Sequence, residues 1–237
     1  MLAKAYNNDT KLMSDNLRQL LISIGRKRKI RKNTYLFQEG MDAKEIYLVQ
    51  SGLIQIGKLT PDGKELSLRI CKKDDLVGEL TLFSDESKYM LSALALDDCD
   101  IITINKTTLE QELAYNNALT FEYMKWMSVH LRKTQSKIRD LLLNGKKGAL
   151  YSTLIRLSNS YGVKQDDGLL IDIVLTNQEL ANFVASARES VNRMLSDLKK
   201  QKVISLNDTG KIIIHKIDFL RMEIGCENCP IEICNID

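Results

Sequence analysis

Residues 176–200 read TNQELANFVASARESVNRMLSDLKK, and the fold of the C-terminal half follows from them. Thr176-Asn177-Gln178-Glu179 and Ser186-Ala187-Arg188-Glu189 both match S/T-x-x-E, in which hydroxyl and carboxylate satisfy free amides at a helix start. The spacing predicts one helix burying Leu180, Phe183 and Val184, then another burying Val191, Leu195 and Leu198. About three residues separate them, which makes a helix-turn-helix. Val203-Ile204-Ser205-Leu206 and Lys211-Ile212-Ile213-Ile214, joined through Asn207-Asp208-Thr209-Gly210, then supply a two-stranded wing. Ala185 holds a turn position where glycine is common, and a positive backbone angle there strains a side chain.

Such a motif sets the first residues of its second helix against base edges in the major groove. Arg188, Glu189 and Arg193 fall together opposite Val191 and Leu195, with Ser190 and Asn192 beside them. These five are the candidate contacts to double-stranded DNA. Arginine forks onto guanine and glutamate accepts from cytosine N4, so the trio suits a half-site containing G·C pairs. Glu189 has a competing use in the Ser186 capping box.

Working upstream, residues 117–144 read as one long helix, about 40 Å at 1.5 Å per residue. Met124, Met127, Leu131, Thr134, Ile138 and Leu141 alternate steps of three and four, the seam of a two-stranded coiled coil and hence a homodimer interface. Gly145 stops the helix, with Lys146 and Lys147 where its dipole favours cations. Asp140 carries the wrong sign for that end; read alone, it pairs with nearby Lys137 or Lys146.

Charge is uneven along the 237 residues. Residues 64–114 hold six Lys/Arg against eleven Asp/Glu, whereas 125–202 hold fourteen against seven. An acidic segment followed by a basic one points the second half toward a polyanion. No apolar run approaches the roughly 20 residues of a membrane span, and no signal pattern opens the chain, so it reads as cytoplasmic and free of membrane. Five cysteines without a secretion signal argue against a disulfide scaffold. No nucleophile–base pair or phosphate-cradling loop marks an enzyme.

The N-terminal half begins with a short helix over residues 14–24, capped by Ser14 and stopped by Gly25, followed by a basic run over 27–32 that reads as packing or linkage. Residues 34–104 change to short alternating stretches, such as Ile46-Tyr47-Leu48-Val49 and Leu66-Ser67-Leu68-Arg69-Ile70. Thr60-Pro61-Asp62-Gly63 is a hairpin turn. This is an antiparallel β-structure, and the fold class is α+β: a β-roll, a long dimerisation helix and a winged helix-turn-helix. The domains expected are 1–114, 115–145, 146–225 and a tail at 226–237.

The order Gln38-Glu39-Gly40, Tyr47-Leu48-Val49-Gln50-Ser51-Gly52, Asp62-Gly63-Lys64-Glu65 and Gly78-Glu79-Leu80 resembles the cyclic-nucleotide-binding β-roll of the CRP/FNR family of bacterial transcription regulators. Members that bind cyclic AMP carry an Arg-Ser pair for the cyclic phosphate. Here Ser92-Ala93 is kept, but Leu91 stands where the arginine would be, so a phosphate loses its bidentate partner. The expectation is a β-roll that binds no cyclic nucleotide, with Glu79 a turn or core residue and Cys71 and Cys99 small core side chains. The resemblance of the reading helix implies a palindrome close to TGTGA with its inverted repeat.

The tail carries Cys226, Cys229 and Cys234 as Cys-x2-Cys-x4-Cys. Spacing leaves an iron–sulfur cluster, a zinc knuckle and a thiol switch open. Resemblance narrows this: the FNR branch senses oxygen through a 4Fe–4S cluster, and the C-terminal trio looks like its Bacillus-type members. In those the fourth ligand is an aspartate of the dimerisation helix, which falls at Asp140 here. The resemblance thus implies a 4Fe–4S cofactor and an oxygen-responsive activator of anaerobic genes. It also implies contact with RNA polymerase, through loops such as residues 84–87, and a DNA-binding domain that pivots near Gly145 and Gly148 when the cluster is lost. The alternative is a regulator controlled by a small molecule in the β-roll, with zinc or a thiol switch in the tail.

Overall fold

The computed structural model describes residues 13–60, 65–85, 88–227 and 229–236. Pro61, Asp62 and Gly63, read as a hairpin turn, and Glu86 and Ser87, read as part of a polymerase-contacting loop, lie outside the described residues, as do Asn228 and Asp237. The chain divides into two compact units, and the division falls between Ser128 and Val129, inside a single helix.

In the N-terminal unit, Ser14 caps helix α1 (Asp15–Ile24) by accepting from Leu17 N at 3.1 Å, as its sequence predicts. Among the described residues eight strands follow: β1 (Arg26–Ile30), β2 (Tyr35–Phe37), β3 (Glu45–Ser51), β4 (Ile54–Leu59), β5 (Glu65–Cys71), β6 (Leu76–Val77), β7 (Ser92–Ala95) and β8 (Cys99–Asn105). They form two antiparallel sheets, β1-β8-β3-β6 and β2-β7-β4-β5. The continuous apolar run of β3 has a physical reason. Tyr47 and Val49 point into the core between the sheets, whereas Ile46 and Leu48 join a second core with Leu17, Leu21, Leu109, Leu113 and Trp126. Both faces are buried, so the strand does not alternate with water. The basic run read as linkage is strand β1, paired along β8 from Arg26 to Ile30. Only its Ile30 is buried, and exposed Lys and Arg protect it as a sheet edge.

Helix α2 (Lys106–Tyr115) leads into α3 (Asn117–Leu143). On α3, Tyr123 and Trp126 belong to the N-terminal unit and are buried; Ser136 and Asp140 belong to the C-terminal unit and are buried there. Helix α4 (Gly145–Tyr161) starts at once, with Gly145 at φ 58° making the turn. Lys146 and Lys147 therefore sit in the first turn of α4 rather than the last of α3. Lys147 meets Glu223 at 2.9 Å and lies over the Tyr151 ring. Gly148 differs from the expectation of a pivot. It is buried inside α4, and a Cβ there would stand 2.1 Å from that of Asn144. It is a close-packing glycine, and the conformational freedom of the joint belongs to Gly145, whose Cβ would meet nothing within 4 Å.

The C-terminal unit continues with β9 (Gly162–Gln165), β10 (Gly168–Ile171), α5 (Asn177–Phe183), α6 (Arg188–Lys200), β11 (Ile204–Leu206), β12 (Ile212–Ile214) and α7 (Ile217–Glu223). The sheet order is β11-β12-β10-β9. The Thr176 capping box forms: Thr176 Oγ1 accepts from Glu179 N at 3.2 Å and Thr176 N donates to Glu179 Oε2 at 2.6 Å. The second does not. Helix α6 is capped at Ala187 without a side-chain bond, and Ser186 N is spent on Ala181 O at 3.0 Å, closing the turn. Ala185 takes φ 47°, the strained angle that its position predicts.

Candidate functional site

The apolar residues Val191, Leu195 and Leu198 fix the rotation of α6, since all three are buried. Arg188, Glu189, Asn192 and Arg193 are consequently exposed, with Ser190 half-buried. Glu189 is exposed and outside any capping box, so nothing in the helix start competes for it. Asn192 accepts from Asn177 Nδ2 at 3.1 Å, which ties the reading face to the start of α5.

On α3 the predicted seam is the exposed one. Met124, Leu131 and Ile138 are 62%, 59% and 50% exposed, Thr134 is exposed, and Met127 and Leu141 are half-buried. Apolar side chains repeating at this spacing fit the geometry by which a second helix would pack.

In the β-roll, the residues that the resemblance singled out have partners within the chain. Arg69 donates to Glu79 Oε2 at 3.0 Å and to Leu76 O at 2.6 Å, so the buried Glu79 carboxylate is already paired. Leu91 packs against the core between the sheets, and Ser92 Oγ accepts from Glu39 N at 3.0 Å. Glu79 is thus the core residue expected of it. Cys71 and Cys99 are buried among apolar side chains, and burial pushes the Cys99 thiol up.

The tail and the end of α3 meet within the C-terminal unit. Asp140, Cys226, Cys229 and Cys234 line one cavity of about 140 Å³, with Arg139 and Arg156. Asp140 is 7% exposed, and its described ion pairs are with Arg139 and Arg156 rather than the Lys137 or Lys146 that helical spacing suggests. Its Oδ2 accepts from Ser152 Oγ at 2.5 Å and Arg156 Nη2 at 2.6 Å; its Oδ1 accepts from Arg139 Nη2 at 3.1 Å. Burial works to raise its pKa, but the bonds from Ser152 and Arg156 outweigh it and hold the carboxyl below its usual value. Lys137 instead donates to Ile236 O at 2.7 Å.

Arg156, 2% exposed, is the centre of this arrangement. Besides Asp140 it donates to Ser136 Oγ at 2.8 Å and to Ile233 O at 3.1 Å, so one guanidinium joins α3, α4 and the tail. Asn159 Nδ2 adds a bond to Cys234 O at 2.5 Å, and Ser160 Oγ accepts from Ile236 N at 3.0 Å. Burial raises the Cys234 thiol pKa, opposed by the nearby Arg156 charge. Sequence reasoning missed Arg156 and Ser152. The available signal was a charged residue amid the apolar run Leu154, Ile155 and Leu157, with a hydroxyl one turn before it.

Among the described residues, no three His, Cys, Asp or Glu side chains are grouped around a single ion position. A four-iron cube offers four separate irons, so its ligands need only surround a common volume, and these four do. The donor set fits: three soft thiols, and a carboxylate pinned from behind by hydrogen bonds, the arrangement that orients metal ligands.

Two family models match the chain: the cyclic nucleotide-binding domain over residues 27–116 and the Crp-like helix-turn-helix domain over 148–223. The chain is 70% identical over 230 residues to the anaerobic regulatory protein of Bacillus subtilis, covering 97% of each. It is 27% identical over 178 residues to a CRP-like cAMP-activated global transcriptional regulator of Mycobacterium tuberculosis, covering 75% of this chain and 79% of that one. Among solved structures, the c-di-GMP responsive global regulator of Xanthomonas campestris superposes with a TM-score of 0.75 at 21% identity, over 85% of this chain and 99% of that one, a likeness of fold.

Proposed function

Because the chain belongs to the CRP/FNR family of DNA-binding transcription regulators, which are not enzymes, we propose that it is an oxygen-responsive member. In this reading it binds a TGTGA-type palindrome as a homodimer and chiefly activates genes of anaerobic respiration or fermentation, through contact with RNA polymerase. A 4Fe–4S cluster is held by Cys226, Cys229, Cys234 and Asp140. The observation that carries this is the cavity lined by all four, one on α3 and three on the tail.

When bound, the cluster would supply an oxygen-labile centre, and the protein's residues couple that lability to DNA. Arg156 and Ser152 pin Asp140 Oδ2, whereas Oδ1 meets the half-buried Arg139. A hard carboxylate oxygen would be a weak partner for soft iron, so Asp140 would hold such a group less firmly than the three thiols. The bonds of Asn159, Arg156 and Ser160 to the tail hold Cys234 near the carboxylate. Because α3 and α4 meet at Gly145 and the Asp140–Arg156 pair spans that joint, any pivot of the reading helix must work against the pair. Two copies of α6 must stand about 34 Å apart to enter successive major grooves, and the exposed α3 seam is the surface that would set that distance. In this reading no cyclic nucleotide takes part; the Arg69–Glu79 pair and the packing of Leu91 against the core support it.

The test is purification without air, with iron and sulfide analysis, a visible spectrum and DNA binding before and after exposure to air. Brown protein that grips the palindrome and loses both colour and grip in air is the expected result. Colourless protein containing zinc, or cluster-free protein binding DNA as tightly, overturns the reading and favours a small-molecule regulator with a structural tail.

A further inference from the structure

The two oxygens of Asp140 are held very differently. Oδ2 belongs to Ser152 and the buried Arg156, which have nowhere to go. Oδ1 belongs to Arg139 alone among the bonds described, through Nε at 3.3 Å and Nη2 at 3.1 Å. The Arg139 side chain is 36% exposed, so it is able to swing outward. Its guanidinium does more than meet Asp140. Nη1 is paired with Glu227, the residue after Cys226, and Nη2 lies 3.9 Å from Cys229 Sγ. One planar cation with five donors therefore touches a candidate ligand oxygen, a candidate ligand sulfur and the loop between two candidate thiols.

Two donors directed at one oxygen use both of its lone pairs. Asp140 Oδ1 cannot keep both bonds and also reach a metal. Resting on the cluster reading above, we propose that Arg139 competes for a ligand oxygen: it latches Glu227 and Cys229 onto Asp140, and a cluster held there would displace it. The exchange is cation for cation. The guanidinium would leave protonated, freeing Oδ1 of its two hydrogen bonds to hold the group, and neither a proton nor an electron would be transferred to or from Arg139. Arg139 is thus a positioning residue. It keeps Glu227, Cys229 and the carboxylate in register in cluster-free protein, and it would set a barrier to cluster insertion.

Exposed ion pairs of this kind hold weakly. The latch should therefore alter rates by a modest factor, about 3- to 10-fold.

The experiment uses full-length, cluster-free protein kept without air, comparing wild type with Arg139→Gln, Arg139→Lys and Glu227→Gln. First, iodoacetamide labelling of Cys229 is followed by mass spectrometry, with the buried Cys71 as internal standard. Arg139→Gln and Glu227→Gln should label Cys229 about 3- to 10-fold faster, and Arg139→Lys, which keeps the charge without the fork, should lie between. Equal labelling in all four proteins overturns the latch. Second, iron, sulfide and a thiol are added and the rise of visible absorption is timed. A faster rise in Arg139→Gln than in wild type supports displacement; an equal or slower rise overturns it. If wild type gains no cluster at all, the cluster reading and the displacement both fall, while the labelling result still decides the latch.

Discussion

Arg156 offers the sharpest test of how the C-terminal unit is held together. It is 2% exposed, its partner Asp140 7%, and their closest atoms are 2.6 Å apart. Removing one member of a buried pair strands the other charge, at a cost of about 3–5 kcal/mol. In a unit of this size that lowers the melting midpoint by about 12–20 °C. Arg156→Met and Asp140→Asn should each do so in cluster-free protein, and the double substitution should cost clearly less than the sum, because neither charge is then left alone. The lone Trp126 lies in the core of the N-terminal unit. Its fluorescence therefore follows that unit, while circular dichroism follows both. The C-terminal transition should move and the Trp126 transition should stay. The pH sign is also fixed. Asp140 is held below its ordinary value, so its contribution is present above about pH 4 and is lost as pH falls through the lowered pKa. The gap between wild type and Asp140→Asn should close in acid. A shift under about 5 °C for Arg156→Met, or an equal shift of the Trp126 transition, would refute the reasoning.

Other predictions address separate parts of the molecule. Ala185 sits at φ 47°, so Ala185→Gly should stabilise the C-terminal unit by about 1 kcal/mol in urea unfolding. Exchanging guanine in the TGTGA half-site should cost the wild type about 1–3 kcal/mol in DNA affinity and Arg188→Ala much less; equal losses would mean that Arg188 does not read that base. Asp140→Cys should slow cluster loss in air, seen as slower bleaching, yet lower the melting midpoint of cluster-free protein, because it takes a carboxylate from Arg156. Calorimetry with cyclic AMP should give no binding heat, and measurable binding would show that Arg69 releases Glu79.

Local chemistry explains which features were legible beforehand. The Thr176 box, the wing and the strain at Ala185 depend on neighbours a few residues apart, and each stands where its pattern places it. Strand β1 was hidden because an edge strand covered in Lys and Arg buries only Ile30 and shows no apolar alternation. Helix α7 was hidden for a similar reason, since Leu220 alone of its residues is buried. The partner of Asp140 was out of reach for another reason. Helical periodicity points to Lys137 or Lys146, whereas the true partner, Arg156, comes from the next helix after a sharp turn. The stop at Gly145 was readable, but α4 begins at the same residue, which moves Lys146 and Lys147 from one helix's end to the other's start.

Helix α3 gives Trp126 to one folding unit and Asp140 to the other, with the division between Ser128 and Val129. Dissection at its ends would therefore injure both halves. A fragment starting at Lys146 would carry Arg156 without its carboxylate, and one ending at Ala114 would lack an aromatic wall of its core. Recombination between relatives faces the same arithmetic: a working chimera must inherit half a rod with each module, spliced in the middle, where the two lineages have to agree on register.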